Sequence, residues 1–159
     1  MTVIQAPAID VRKLTKAFGH QAALRGADLS VAEGEFLSLF GPNGAGKTTL
    51  IRFVASLMRP TSGTVHVRGE DLDKAATSLR RHIGLISHNP LLDGDLTPDE
   101  NLRFFARMYD LPGSGISSAA ARIDTVLEQV GLAARRRDPV RTFSRGMVQR
   151  LAIARAILH

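Results

Sequence analysis

The chain has 159 residues, 44% hydrophobic and 23% charged, enough for one globular domain with a real core but not comfortably two. It contains no cysteine, which excludes a disulfide scaffold and any Cys-based metal site. The net charge of +6 favours polyanionic partners, while 5% aromatics with no Trp argue against single-stranded nucleic acid.

No apolar run approaches the roughly 20 residues of a membrane span, and the N-terminus shows no basic-then-apolar secretory signal. Residues 1–8 read as a loose leader. Ile9–Leu14 alternates apolar and polar as a half-buried strand does. Thr15–His20 is predicted as a turn, Ala22–Val31 as a second strand, and Ala32-Glu-Gly34 as a break. Glu35–Phe40 is predicted as a buried strand. Short antiparallel strands followed by a continuous apolar one imply a mixed α/β domain.

That strand leads into Gly41-Pro42-Asn43-Gly44-Ala45-Gly46-Lys47-Thr48, followed by Thr49 and a helical pattern to Leu57. Strand, G-x-x-x-x-G-K-[ST] and helix together make a phosphate-binding loop. The glycines let backbone N–H groups turn inward as an anion nest, and the helix adds the positive end of its dipole. Lys47 supplies a point charge for β- and γ-phosphates, and Thr48 a hard oxygen for Mg²⁺. Phe18, upstream on a turn, either stacks on an adenine ring or plugs the turn.

Beyond Arg59-Pro60-Thr-Ser-Gly63, Thr64–Arg68 reads as a strand, Gly69-Glu-Asp71 as a turn and Lys74–Arg81 as a short helix. Ile83–Ile86 reads as another buried strand. It runs into Ser87-His88-Asn89-Pro90, at the strand end where ligand-contacting groups sit in open α/β sheets. His88 and Asn89 either reach a metal-bound or attacking water or form a solvated loop. Thr97-Pro98-Asp99-Glu100 is a helix start, with Thr as N-cap, Pro at the first position and acids in the first turn. That helix runs to about Tyr109, and a second spans Ser117–Val130, so 97–140 reads as an all-helical insert. Arg135-Arg-Arg137, with Arg141 and Arg145, is either a phosphate contact or a solvated face. Ser144-Arg145-Gly146-Met147 precedes a last helix and is either a second anion site or a plain cap.

Taken together, these residues resemble the ATP-binding subunit of an ABC transporter. Gly41–Thr48 matches the family's Walker A motif, and Phe18 matches the aromatic that stacks on adenine. Ser144-Arg-Gly-Met-Val-Gln-Arg150 is similar to the signature motif. The resemblance implies an α/β P-loop NTPase fold with N-terminal antiparallel strands and a parallel core sheet. In it 9–96 is the ATP-binding core, 97–140 the helical subdomain, and 141–159 the signature motif with its helix. It also implies ATP and Mg²⁺ as cofactors, with His88 a second candidate metal contact. The implied partners are an integral membrane transporter subunit and a second copy of the chain, at the cytoplasmic face of the membrane. Ser144, Arg145, Gly146 and Met147 of one copy would face ATP bound by the other; nucleic acid is not an expected partner.

The chain departs from the family pattern at three places. Arg145 and Met147 replace the usual Gly and Gln of the signature. His88, with Asn89 beside it, stands where a Gln is usual. The sequence stops at His159, before the Walker B strand, so that motif's Asp, the catalytic Glu and the switch His are missing. The expectation is therefore a fragment that binds ATP but does not hydrolyse it efficiently. Ser87–Leu92 and Arg141–Met147 resemble haem exporters of cytochrome c biogenesis. The alternatives are ABC-2 type drug or polysaccharide export, or a non-transport ABC ATPase acting on ribosomes or DNA.

Overall fold

The structure is a computed structural model that describes residues 6–87, 89–109 and 116–159. The chain divides into two compact units between Arg80 and Arg81.

The first unit is built on an antiparallel sheet in the order β2-β1-β3-β4. Its strands are β1 (Ile9–Phe18), β2 (Gln21–Val31), β3 (Ser62–Val67) and the short β4 (Glu70–Asp71). β1 extends through the segment predicted as a turn. Thr15, Lys16 and Phe18 find partners in Arg25, Leu24 and Gln21, leaving Gly19-His20 alone as the hairpin turn. Cross-strand pairing, which local composition does not reveal, decides the point. β4 likewise forms within a predicted turn, because Asp71 and Glu70 pair with His66 and Val67.

A bulge shapes β1. Lys13 has φ 46, and its N–H donates to Asp28 Oδ1 at 2.8 Å. The extra residue shifts the side-chain phase, so Val11 and Leu14, three apart, are both buried. Helix α1 (Lys47–Val54) packs on β2 and β3, burying Leu50 and Phe53 beside Val65 and Val67. A short helix, α2 (Ala76–Leu79), lies where Lys74–Arg81 was expected.

The two expected parallel core strands do not form ladders. Glu35–Phe40 is exposed at every residue, with Phe36 and Phe40 each 91% exposed, and Ile83–Ile86 is also outside the sheet. A central strand exists through its two hydrogen-bonded neighbours, and among the described residues no strand pairs with either segment. An apolar run alone does not supply that ladder.

The second unit is helical: α3 (Pro98–Met108), α4 (Ile116–Gln129) and α5 (Arg145–Ala156). Leu102, Phe105, Ile123, Val126, Leu127, Leu151 and Leu158 form its core. α3 begins as predicted. Glu100 N–H donates to Thr97 Oγ1 at 3.2 Å, and Thr97 N–H donates to Glu100 Oε2 at 2.8 Å, a reciprocal capping box. Buried Asn101 ties the preceding loop to the helix, accepting from Asp93 N–H at 2.9 Å and donating to Asp93 O at 2.9 Å.

The arginine cluster resolves into ion pairs. Arg136 bridges Asp99 and Asp124, Arg135 pairs with Asp138, and Arg141 pairs with Asp95. Asp99 also accepts from Arg103 Nε. Arg136 therefore joins the start of α3 to α4, while Arg137 and Arg145 are exposed. Among the described residues, no helix is long and apolar enough to cross a membrane.

Candidate nucleotide site

Gly46 has φ 86 and is the N-cap of α1, and the first intrahelical bond runs from Leu50 N–H to Gly46 O at 2.8 Å. The N–H groups of Lys47, Thr48 and Thr49 precede that bond and have no acceptor within the helix. No acidic side chain occupies the first turn to neutralise them. A Cβ at Gly46 would stand 2.6 Å from Ala23 O and 2.7 Å from Leu24 Cδ2, so only glycine lets the loop lie against β2.

Lys47 Nζ donates to Gly41 O at 2.6 Å and to Pro42 O at 2.7 Å. An ammonium has three donors. Two of them brace the loop and orient the third. Pro42 O also accepts from Ala45 N–H at 3.3 Å, which closes the loop on itself.

The hairpin brings Phe18 to this loop. Phe18, Gln21, Ala22 and Ala23 line one groove of about 350 Å³ with Asn43, Gly44, Ala45, Gly46, Lys47, Thr48 and Thr49. The Phe18 ring is 52% exposed, and Lys16 Nζ lies 5.4 Å from its centroid. It is thus a half-open aromatic face lining the same groove as the glycine-rich loop. Gln21, Ala22 and Ala23 were not singled out from the sequence. The signal that could have found them is the two-residue turn, which places Gln21 opposite Phe18.

The residues present fit a nucleoside triphosphate with its metal. The groove offers an aromatic face, first-turn N–H groups, an oriented ammonium, and the exposed Thr48 hydroxyl as an oxygen ligand for a hard cation.

The signature residues lie in the other unit. Ser144 caps α5, its Oγ accepting from Met147 N–H at 3.3 Å. Ser144, Arg145 and Gly146 are exposed, while Met147 is half-buried against the helical core. A Cβ at Gly146 would meet nothing within 4 Å, so packing within the chain does not require glycine there. At the remaining candidate position, Asn89 Oδ1 accepts from Leu91 N–H at 3.1 Å and Asn89 O accepts from the Ser87 hydroxyl. His88 lies outside the described residues.

Comparison with known proteins places this geometry. The family model described as ABC transporter matches residues 24–159. The chain is 41% identical to the daunorubicin resistance ATP-binding protein DrrA3 of Streptomyces coeruleorubidus, over 95% of this chain and 47% of that protein. It is 36% identical to the linearmycin resistance ATP-binding protein LnrL of Bacillus subtilis, over 95% of this chain and 48% of that protein. The chain thus spans about half the length of the curated relatives it matches. A solved structure described as the ATP binding subunit of an ABC transporter superposes with a TM-score of 0.81 at 31% identity, covering 95% of this chain and 62% of that one. The P-loop NTPase fold of an ABC ATPase is therefore established. With the family model matching from Leu24 through His159, the chain belongs to the ABC transporter family, as its ATP-binding domain.

Proposed function

We propose that the chain is the ATP-binding part of a drug-exporting ABC transporter. It would pair with a second copy and with an integral membrane subunit at the cytoplasmic face of the membrane. The observation that carries its ATP-binding part is the groove that joins Phe18 to Gly44–Thr49. In this reading Phe18 takes the base face, and the first-turn N–H groups with the third Lys47 donor take the phosphates. Thr48 Oγ would hold Mg²⁺, which would supply positive charge against the phosphates. Ser144 and exposed Gly146 of one copy close on the γ-phosphate held by the other, with Arg145 and Met147 flanking them. Asn89 and His88 stay candidates for a contact to the metal or its water.

Names of the relatives favour drug export. Two of the relatives are named for daunorubicin and linearmycin resistance. They lend no support to the haem-export expectation, whereas the ABC-2 drug-export alternative weighed beside it fits them. The groove's polar side chains are Gln21, Asn43, Lys47, Thr48 and Thr49, with no carboxylate among the described residues that line it. We therefore propose binding without efficient hydrolysis by this chain.

Titration with a fluorescent ATP analogue tests the site. Phe18→Ala should weaken ATP binding about tenfold, the scale of one lost base–aromatic stack. The same change should leave inorganic triphosphate binding unaltered. Lys47→Ala should weaken both ligands. Equal ATP affinity in the parent chain and in Lys47→Ala would overturn the assignment.

A further inference from the structure

Arg155, in the last turn of α5, is only 3% exposed. Its Nη2 donates to Leu85 O at 2.6 Å, and its guanidinium carbon lies 5.0 Å from the Phe105 ring centroid. Its Nε is buried with no acceptor among the described residues. Burial draws the guanidinium below its usual value, with Tyr109 partly opposing the effect. A buried cation costs far more than the Leu or Met that would fill the same volume. Packing alone does not call for it. What the guanidinium adds is a directional donor to a backbone carbonyl outside the helix.

A second contact joins the same two segments. A Cβ at Gly84 would overlap the Ala156 carbonyl oxygen, so glycine lets the chain at 84–85 lie flush against the end of α5. Arg122 of α4 donates to Ile157 O and Leu158 O, fixing the end of α5 to its neighbour. Leu85 stands three residues before His88. Ser144 caps the opposite end of α5, a helix of 12 residues and therefore about 18 Å long.

We propose that Arg155 is a positioning residue, holding the chain that leads to His88 and Asn89 onto the helix that carries Ser144, so that the loop and the helix tip shift as one body. Its functional meaning rests on the ATP-subunit reading above; the clamp itself does not.

The test uses the full chain, which has no native cysteine to interfere with labelling. Spin labels at Ile86→Cys and Gln149→Cys report the distance from the clamped segment to α5. A control pair at Arg107→Cys and Glu128→Cys reports α3 against α4. The parent should give one narrow distance for each pair. Arg155→Met should lose the narrow 86–149 distance while keeping the 107–128 distance. Gly84→Ala, which leaves Arg155 intact, should do the same. An unchanged 86–149 distance in both variants overturns the clamp. So does equal broadening of both pairs, which would make Arg155 a general folding residue. Nucleotide titration of the same labelled proteins tests the ATP reading separately: narrow distances without nucleotide binding would remove that reading and leave the clamp standing.

Discussion

Gly46 carries two requirements at one position. Its φ of 86 is a conformation L side chains rarely adopt, and the space where a Cβ would sit is already taken by Ala23 O and Leu24. Gly44, at φ 83, meets nothing within 4 Å of the same imaginary atom. The two glycines therefore separate strain from crowding. Gly44→Ala should cost about 1 kcal/mol through backbone strain and leave the hairpin in place. Gly46→Ala should displace the loop from β2 and lose nucleotide binding as well. Thermal melts together with the ATP titration check this; equal effects at both positions would mean that crowding against Ala23 is unimportant. The sequence made the loop legible because glycine spacing and the Lys-Thr ending are local signals. The requirement at Gly46 for closeness to Ala23 was not legible, since the contact spans more than twenty positions.

At the level of elements, the helical unit was the more legible half. Its helices are set by caps and 3.6-residue periodicity, both written within each segment. The capping box at Thr97 was readable from Thr97-Pro98-Asp99-Glu100 alone. Thr97→Ala should destabilise the helical unit by about 1 kcal/mol, read from urea unfolding. What composition did not show is that the following arginines fold back on this start. Burial alone would raise the Asp99 carboxyl. Hydrogen bonds and charge from Arg103 and Arg136 outweigh it and hold the group below its usual value. A depressed folded value means that the contribution is fully present above the unfolded carboxyl value near pH 4 and is lost as pH falls through the folded one. Asp99→Asn should therefore cost about 1 kcal/mol at pH 7, with the gap to the parent closing as pH falls through the depressed folded value. A gap independent of pH would show that the ion pairs contribute nothing through charge.

Over the whole molecule, the segments that escaped sequence reading are those whose structure depends on pairing with another strand. The hairpin reached Phe18 because Gln21 was there to pair with it, and Glu35–Phe40 stayed out of the sheet because no ladder neighbour is present among the described residues. The second case has a physical consequence. Phe36 and Phe40 are each 91% exposed, and Leu37 and Leu39 between them are 40% and 38% exposed. Five consecutive residues then present a largely apolar strip just before the phosphate loop. Removing such surface from water is favourable by about 25 cal/mol for each Å², so the strip drives association of the chain with any apolar surface, including another copy of itself. An unpaired extended segment also offers free N–H and C=O groups as a template for strand addition. The 159-residue chain should therefore bind the dye anilinonaphthalene sulfonate and shift to larger species in sedimentation velocity as its concentration rises. The double change Phe36→Ser and Phe40→Ser should reduce both effects without weakening the helical unit, whose core is separate. A parent chain that stays monomeric and dye-silent across the concentration range would show that the strip is covered in solution.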